Sequence, residues 1–144
     1  MTAEDIVLTV EDANRRLPLV RAIVRDAVEL KSDIIGRQDR LLELRERYPE
    51  LNEDGSPYSE EVLQMEESLE ADEIRIDEFV CELSQVGAKL VNAEAGLVEF
   101  ASSLDGSPVL LSWMFDEPEV GYWRFQDDEP ADRKPIALSE QSAR

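Results

Sequence analysis

The sequence predicts an α+β fold: a long antiparallel helical hairpin followed by a small antiparallel β-meander of three to four strands. Three observations carry that reading. Apolar residues recur every three and four positions through two long segments, the period of a helix with one buried stripe. A turn-rich stretch containing NEDGSP separates them, which lets the second helix fold back on the first. From Lys89 the pattern changes to aromatic-rich alternation that closes on EPEVGYW at residues 117–123, the signature of strands.

The elements follow in order. Ile6 to Thr9 reads as a short strand, and Thr9 then suits the N-cap of a helix whose first turn holds Glu11 and Asp12, charges that favour the helix's positive end. Pro18 lacks an amide hydrogen and crowds the preceding turn. It either ends a short helix at about 10–16 or kinks a longer one sharply, and a break or sharp kink is expected. Beyond it, at about 18–48, Val20, Ile23, Ala27, Leu30, Ile34, Arg37, Leu41, Leu44 and Tyr48 form a coiled-coil-like seam. Val28, Ile35 and Leu42 add a neighbouring row, so this helix is expected to touch more than one neighbour.

The second helix, at about 59–86, repeats the rule with Val62, Met65, Leu69, Asp72, Ile76, Phe79, Leu83 and Val86, and the spacing runs on to Leu90 in the first strand. Each seam carries one charged member, Arg37 in the first and Asp72 in the second. An antiparallel fold-back sets Arg37 opposite Asp72 and Leu41 opposite Leu69. A partly buried Arg37–Asp72 pair would fix the register of the hairpin; the alternative is that both side chains snorkel to water at the seam edge.

Gly87 suits a helix C′ position. Strands are then expected at 88–91, 97–101, 109–115 and 121–125, with Asp105-Gly106 as a hairpin turn. A chain of 144 residues fits one domain, expected over 1–125, with 126–144 as a polar, proline-bearing flexible tail.

Composition narrows the function classes. A net charge of −19 repels nucleic-acid phosphate and anionic membrane surfaces and favours basic partners. The single cysteine, Cys81, cannot form an intramolecular disulfide. The start, MTAEDIVLTV, has neither a basic nor an apolar leader region, and no apolar run approaches the roughly 20 residues that span a bilayer. A cytoplasmic location is expected.

No histidine exists in the chain, which removes Ser–His and Cys–His nucleophile pairs and histidine metal sites. Its six glycines are scattered and form no phosphate-cradling loop. No catalytic residue, metal site or cofactor is therefore assigned. Carboxylates remain: Asp116, Glu117 and Glu119, then Asp127, Asp128 and Glu129. Such oxygens suit hard cations, although in so acidic a chain they ordinarily form a solvated face. Trp113, Tyr122 and Trp123 read as core side chains ahead of a ligand cage.

TVEDANRRLPLVR at residues 9–21, GLVEF at 96–100, the following DG turn, VLLSW at 109–113 and EPEVGYW together resemble the bacterial family catalogued as domain of unknown function 2203. The similarity spans about residues 8–123 and implies one compact unit, with no activity attached. It points to the segment 14–18, the GLVEF strand, and Glu117 to Trp123 as the places to look. Many members of that family place a histidine after the aromatic pair, where this chain has Arg124, which weakens any catalytic or metal role at that position.

Two functions remain open. One is a non-enzymatic homodimeric interaction or scaffold protein, with helices forming the dimer contact and acidic faces available to a basic protein partner. The other is a small-ligand or divalent-cation binding protein, or an enzyme, with a site near the 117–123 loop. Its candidate residues are Glu117, Glu119, Tyr122, Trp123, Arg124 and Trp113, with Arg124 or Arg16 as an anion clamp.

Overall fold

Residues 7–49 and 59–136 are described by the computed structural model. The first helix, α1 (Val10–Arg47), starts where the sequence places it. The Thr9 hydroxyl accepts the Asp12 amide at 3.0 Å and Asp12 returns the bond to the Thr9 amide, a reciprocal capping box. Residues 7–9 are not a strand, although the Leu8 amide donates to the Ala101 carbonyl at 2.8 Å; Ile6 lies outside the described residues.

The expected short helix at 10–16 and break at Pro18 are overturned, because α1 runs through Pro18 without interruption. Ala13 and Leu17 before the proline and Val20 and Val24 after it are all buried in one core, while Pro18 itself faces solvent. Burial of about 1.5–3 kcal/mol per large apolar side chain outweighs one lost backbone bond.

The second helix, α2 (Ser59–Gln85), packs back along α1, and Gly87 follows it with φ 82°, as a C′ residue requires. The seams meet at Ile34, Leu41, Val62 and Leu69. Arg37 reaches Asp72 directly, donates to Ser68 Oγ at 2.8 Å, and also pairs with Asp33 on its own helix at 2.8 Å. Gln38–Glu73 at 3.2 Å and Arg45–Glu66 at 2.8 Å keep the same register.

Among the described residues the sheet has five strands, more than the three to four expected: β1 (Ala88–Asn92), β2 (Leu97–Leu104), β3 (Ser107–Met114), β4 (Tyr122–Phe125) and β5 (Lys134–Pro135), each antiparallel to the next in chain order. The first part of the expected tail belongs to the fold. A 3-10 turn at Pro130–Asp132 leads into β5, and the Ile136 amide donates to the Gly121 carbonyl at 2.8 Å. The tail beyond Ile136 lies outside the described residues.

Alternation gives the sheet two faces. Val98, Phe100, Leu111 and Trp113 look inward onto the first half of α1 and are buried with Leu17, Val20 and Val24, and Val109 is buried on the same face of the sheet. Glu99, Ser112, Tyr122 and Arg124 lie on the outer face. Gly96, at φ 70°, presses the β1–β2 turn against α1: a Cβ there would lie 2.6 Å from Phe115 Cβ and 3.1 Å from Val28 Cγ2.

The helical half of α1 nearer its start therefore serves the sheet, and the far half serves α2 alone. No helix among the described residues is long and apolar enough to cross a membrane.

Candidate functional site

The two segments singled out by sequence meet in space, which builds the region around the loop between β3 and β4 from both sides. The Asn14 side chain accepts the Val120 amide at 2.7 Å and donates to the Val120 carbonyl at 3.5 Å, so it pairs with the loop as a strand would. Two helical turns on, Arg21 donates to the carbonyls of Glu117 and Pro118 at 3.2 and 2.9 Å, and its guanidinium lies 5.5 Å from the Trp113 ring. Trp113 donates its indole N–H to the Glu117 carbonyl at 2.9 Å. These contacts fix the loop on α1, and Trp113 itself is wholly buried.

The remaining candidates separate into three places. Trp123 looks inward, half-buried, edge-on to Phe125 with centroids 4.9 Å apart, and Lys134 lies over both rings. Glu117, Tyr122 and Arg124 join on the outer face. Glu119 is exposed and lies apart from them, on the rim of a concavity beside the start of α1.

The outer face holds buried charge. Glu99 is 2% exposed and Arg124 8%, and they form a two-point pair with Nε–Oε2 at 2.5 Å and Nη2–Oε1 at 2.9 Å. Nη1 of Arg124 is shared among the carbonyls of Phe125, Gln126 and Asp128. The Glu99 hydrogen bond raises the Arg124 guanidinium above its ordinary value, against the opposing effect of burial. Beside them Arg133 pairs with both oxygens of Glu117, donates to Ser112 Oγ at 3.4 Å and stacks 4.0 Å from the Tyr122 ring.

This arrangement holds the chain segment from Phe125 to Lys134 onto the sheet. Asp128 accepts the Phe125 amide at 3.0 Å and pairs with Lys134 at 2.8 Å, and the Lys134 bond, ahead of the Phe125 one, lowers its carboxyl below the usual carboxylate range. Arg124 is spent on these contacts. Arg16, the other proposed clamp, donates to the Val86 carbonyl at 2.8 Å. Among the described residues no three acidic or cysteine side chains converge as a metal would need.

Sequence reasoning missed Glu99, Ser112 and Arg133. The first two had a usable signal, since strand alternation puts residue 99 of GLVEF and residue 112 of VLLSW opposite the inward aliphatic residues. Arg133 had none, because it sits in what reads as a polar tail.

The family model described as Uncharacterized conserved protein (DUF2203) matches residues 7–136 of this chain. No curated protein and no solved structure matches it.

Proposed function

The chain belongs to the family of uncharacterized conserved proteins DUF2203, and from that premise we propose that it is a non-enzymatic, cytoplasmic interaction protein that works as a homodimer through its hairpin. One observation carries the reading. The sheet covers α1 only as far as Val28, and the row that begins there continues through Ile35 to Leu42, which is 57% exposed. On α2, Leu63 and Ile74 are 54% and 58% exposed. A two-helix hairpin leaves such side chains in water unless a second layer covers them, and a second hairpin forms the usual four-helix solution.

Charge supports a particular pairing. Along α1 nine basic residues balance eight acidic ones, whereas α2 has ten acidic residues and one basic. Stacking α1 of one hairpin on α2 of its partner keeps the two acidic helices apart. The outward side of α2 then remains available to a basic protein partner.

The test is light scattering on the full chain. A dimer, twice 16.4 kDa, that Leu42→Glu with Leu63→Glu converts to a monomer of unchanged circular dichroism supports the reading. A wild-type monomer at concentrations of tens of micromolar refutes it.

A further inference from the structure

We propose that the concavity beside the start of α1 is a binding site for a small organic amine with an apolar body. It encloses about 460 Å³, within the range of small-molecule sites. Leu8, Val10, Leu104, Val120 and Ile136 supply apolar wall. Ser102 lines the same space and is only 7% exposed, yet its hydroxyl has no hydrogen-bond partner among the described residues. Its oxygen opens onto the concavity, so a bound polar head can take up the donor and acceptor that the protein leaves unused.

The charge of the lining selects the sign of that head. Glu11 and Glu119 are on the lining and no lysine or arginine is. Neither carboxylate has an ion-pair or hydrogen-bond partner among the described residues. The helix end, which elsewhere attracts anions, is already occupied by the Thr9–Asp12 capping box. Asn14 contributes shape alone, because its amide is committed to Val120. An ammonium between Glu11 and Glu119, with its carbon chain toward Val120 and Ser102, fits these constraints, and a carboxylate or phosphate is repelled.

Hexylammonium, hexanol and hexanoate titrated into the full ¹⁵N-labelled chain at constant ionic strength distinguish the possibilities. Hexylammonium is expected to move the Ser102, Glu119 and Val120 amides saturably and to bind about ten-fold tighter than hexanol, with hexanoate silent. Glu11→Gln with Glu119→Gln is expected to bring the amine down to the affinity of hexanol, and Ser102→Ala to weaken both. Shifts confined to the acidic surface of α2, equal binding of amine and carboxylate, or no binding at all would overturn the site. None of these outcomes touches the proposed dimer contact, which lies at the other end of α1.

Discussion

Replacing Gly96 and Gly106 by alanine separates backbone conformation from close packing at two turns of one sheet. Both glycines have positive φ, 70° and 83°, a conformation that costs a residue with a Cβ about 1–2 kcal/mol. Around Gly106 nothing lies within 4 Å of an added Cβ, so that conformational cost is the whole expected loss. At Gly96 the new methyl would lie 2.6 Å from Phe115 Cβ, 3.1 Å from Val28 Cγ2 and 3.3 Å from Val24 Cγ1. A Cβ is fixed by its backbone and cannot rotate away, so the turn must lift from α1. Overpacking of this kind adds about 1–3 kcal/mol, for about 2–5 kcal/mol in all. Urea unfolding followed by circular dichroism reads the difference, provided that the slope is the same in all three proteins. Asparagine sharpens the comparison, since it tolerates positive φ: it should be nearly neutral at 106 and still damaging at 96. Equal losses at the two positions would refute the close approach of the β1–β2 turn to the helix.

The other predictions concern single contacts. Glu99→Ala leaves the Arg124 guanidinium buried without its carboxylate and is expected to cost about 3–5 kcal/mol, measured as a shift in denaturant midpoint; a loss under about 1 kcal/mol would mean that water reaches the pair. Gly36→Ala, at an exposed helical position with open space around the added Cβ, is expected to stabilise by about 0.5–1 kcal/mol, and thermal unfolding would expose an error in sign. Asp128 has a lowered carboxyl pKa, so its contribution is full above the ordinary carboxylate range and is lost as pH falls through the depressed value. Acid titration followed at the Phe125 and Lys134 amides should show the strap loosening at that low pH, and a midpoint at or above the ordinary aspartate value would contradict the Lys134 contact.

Much of this fold is legible in local pattern because each helix buries a stripe that also repeats in sequence. Thr9 and Asp12 announce the start of α1, and Gly87 the end of α2, through chemistry confined to four or five residues. The placement of Arg37 opposite Asp72 follows from antiparallel counting alone. Pro18 misleads for a physical reason: local rules weigh a missing hydrogen bond, while the outcome depends on Leu17, Val20 and Val24 finding Phe100 and Trp113, which are more than seventy residues away in the chain. The strap carrying Arg133 and β5 was illegible for the opposite reason. It has no buried hydrophobic residue in its turn or strand and is held by ion pairs to Glu117 and Asp128, and such contacts leave no period in the sequence.

The candidate residues divide in the same way. Trp113, Asn14 and Arg21 sit in recognisable motifs because they dock the β3–β4 loop on α1, so a motif here marks a structural joint and does not by itself mark chemistry. Arg124 illustrates the point most sharply: its donors are taken by Glu99 and three backbone carbonyls, and a guanidinium so engaged cannot also clamp an anion without breaking a buried pair. Polar groups without a partner among the described residues occur at Ser102, which no motif marks, and at Glu11 and Glu119, which lie within the quoted motifs but outside these joints. Because α1 packs on the sheet and the end of α2 in its first half and on α2 alone in its second, substitutions at Leu42 or Leu63 should alter assembly while leaving the core around Trp113 intact. Substitutions at Asn14 should do the reverse, releasing the loop without changing the hairpin. If both kinds of variant lost folding and assembly together, the two halves of α1 would form one cooperative unit, and the proposed separation of interaction surface from sheet would fail.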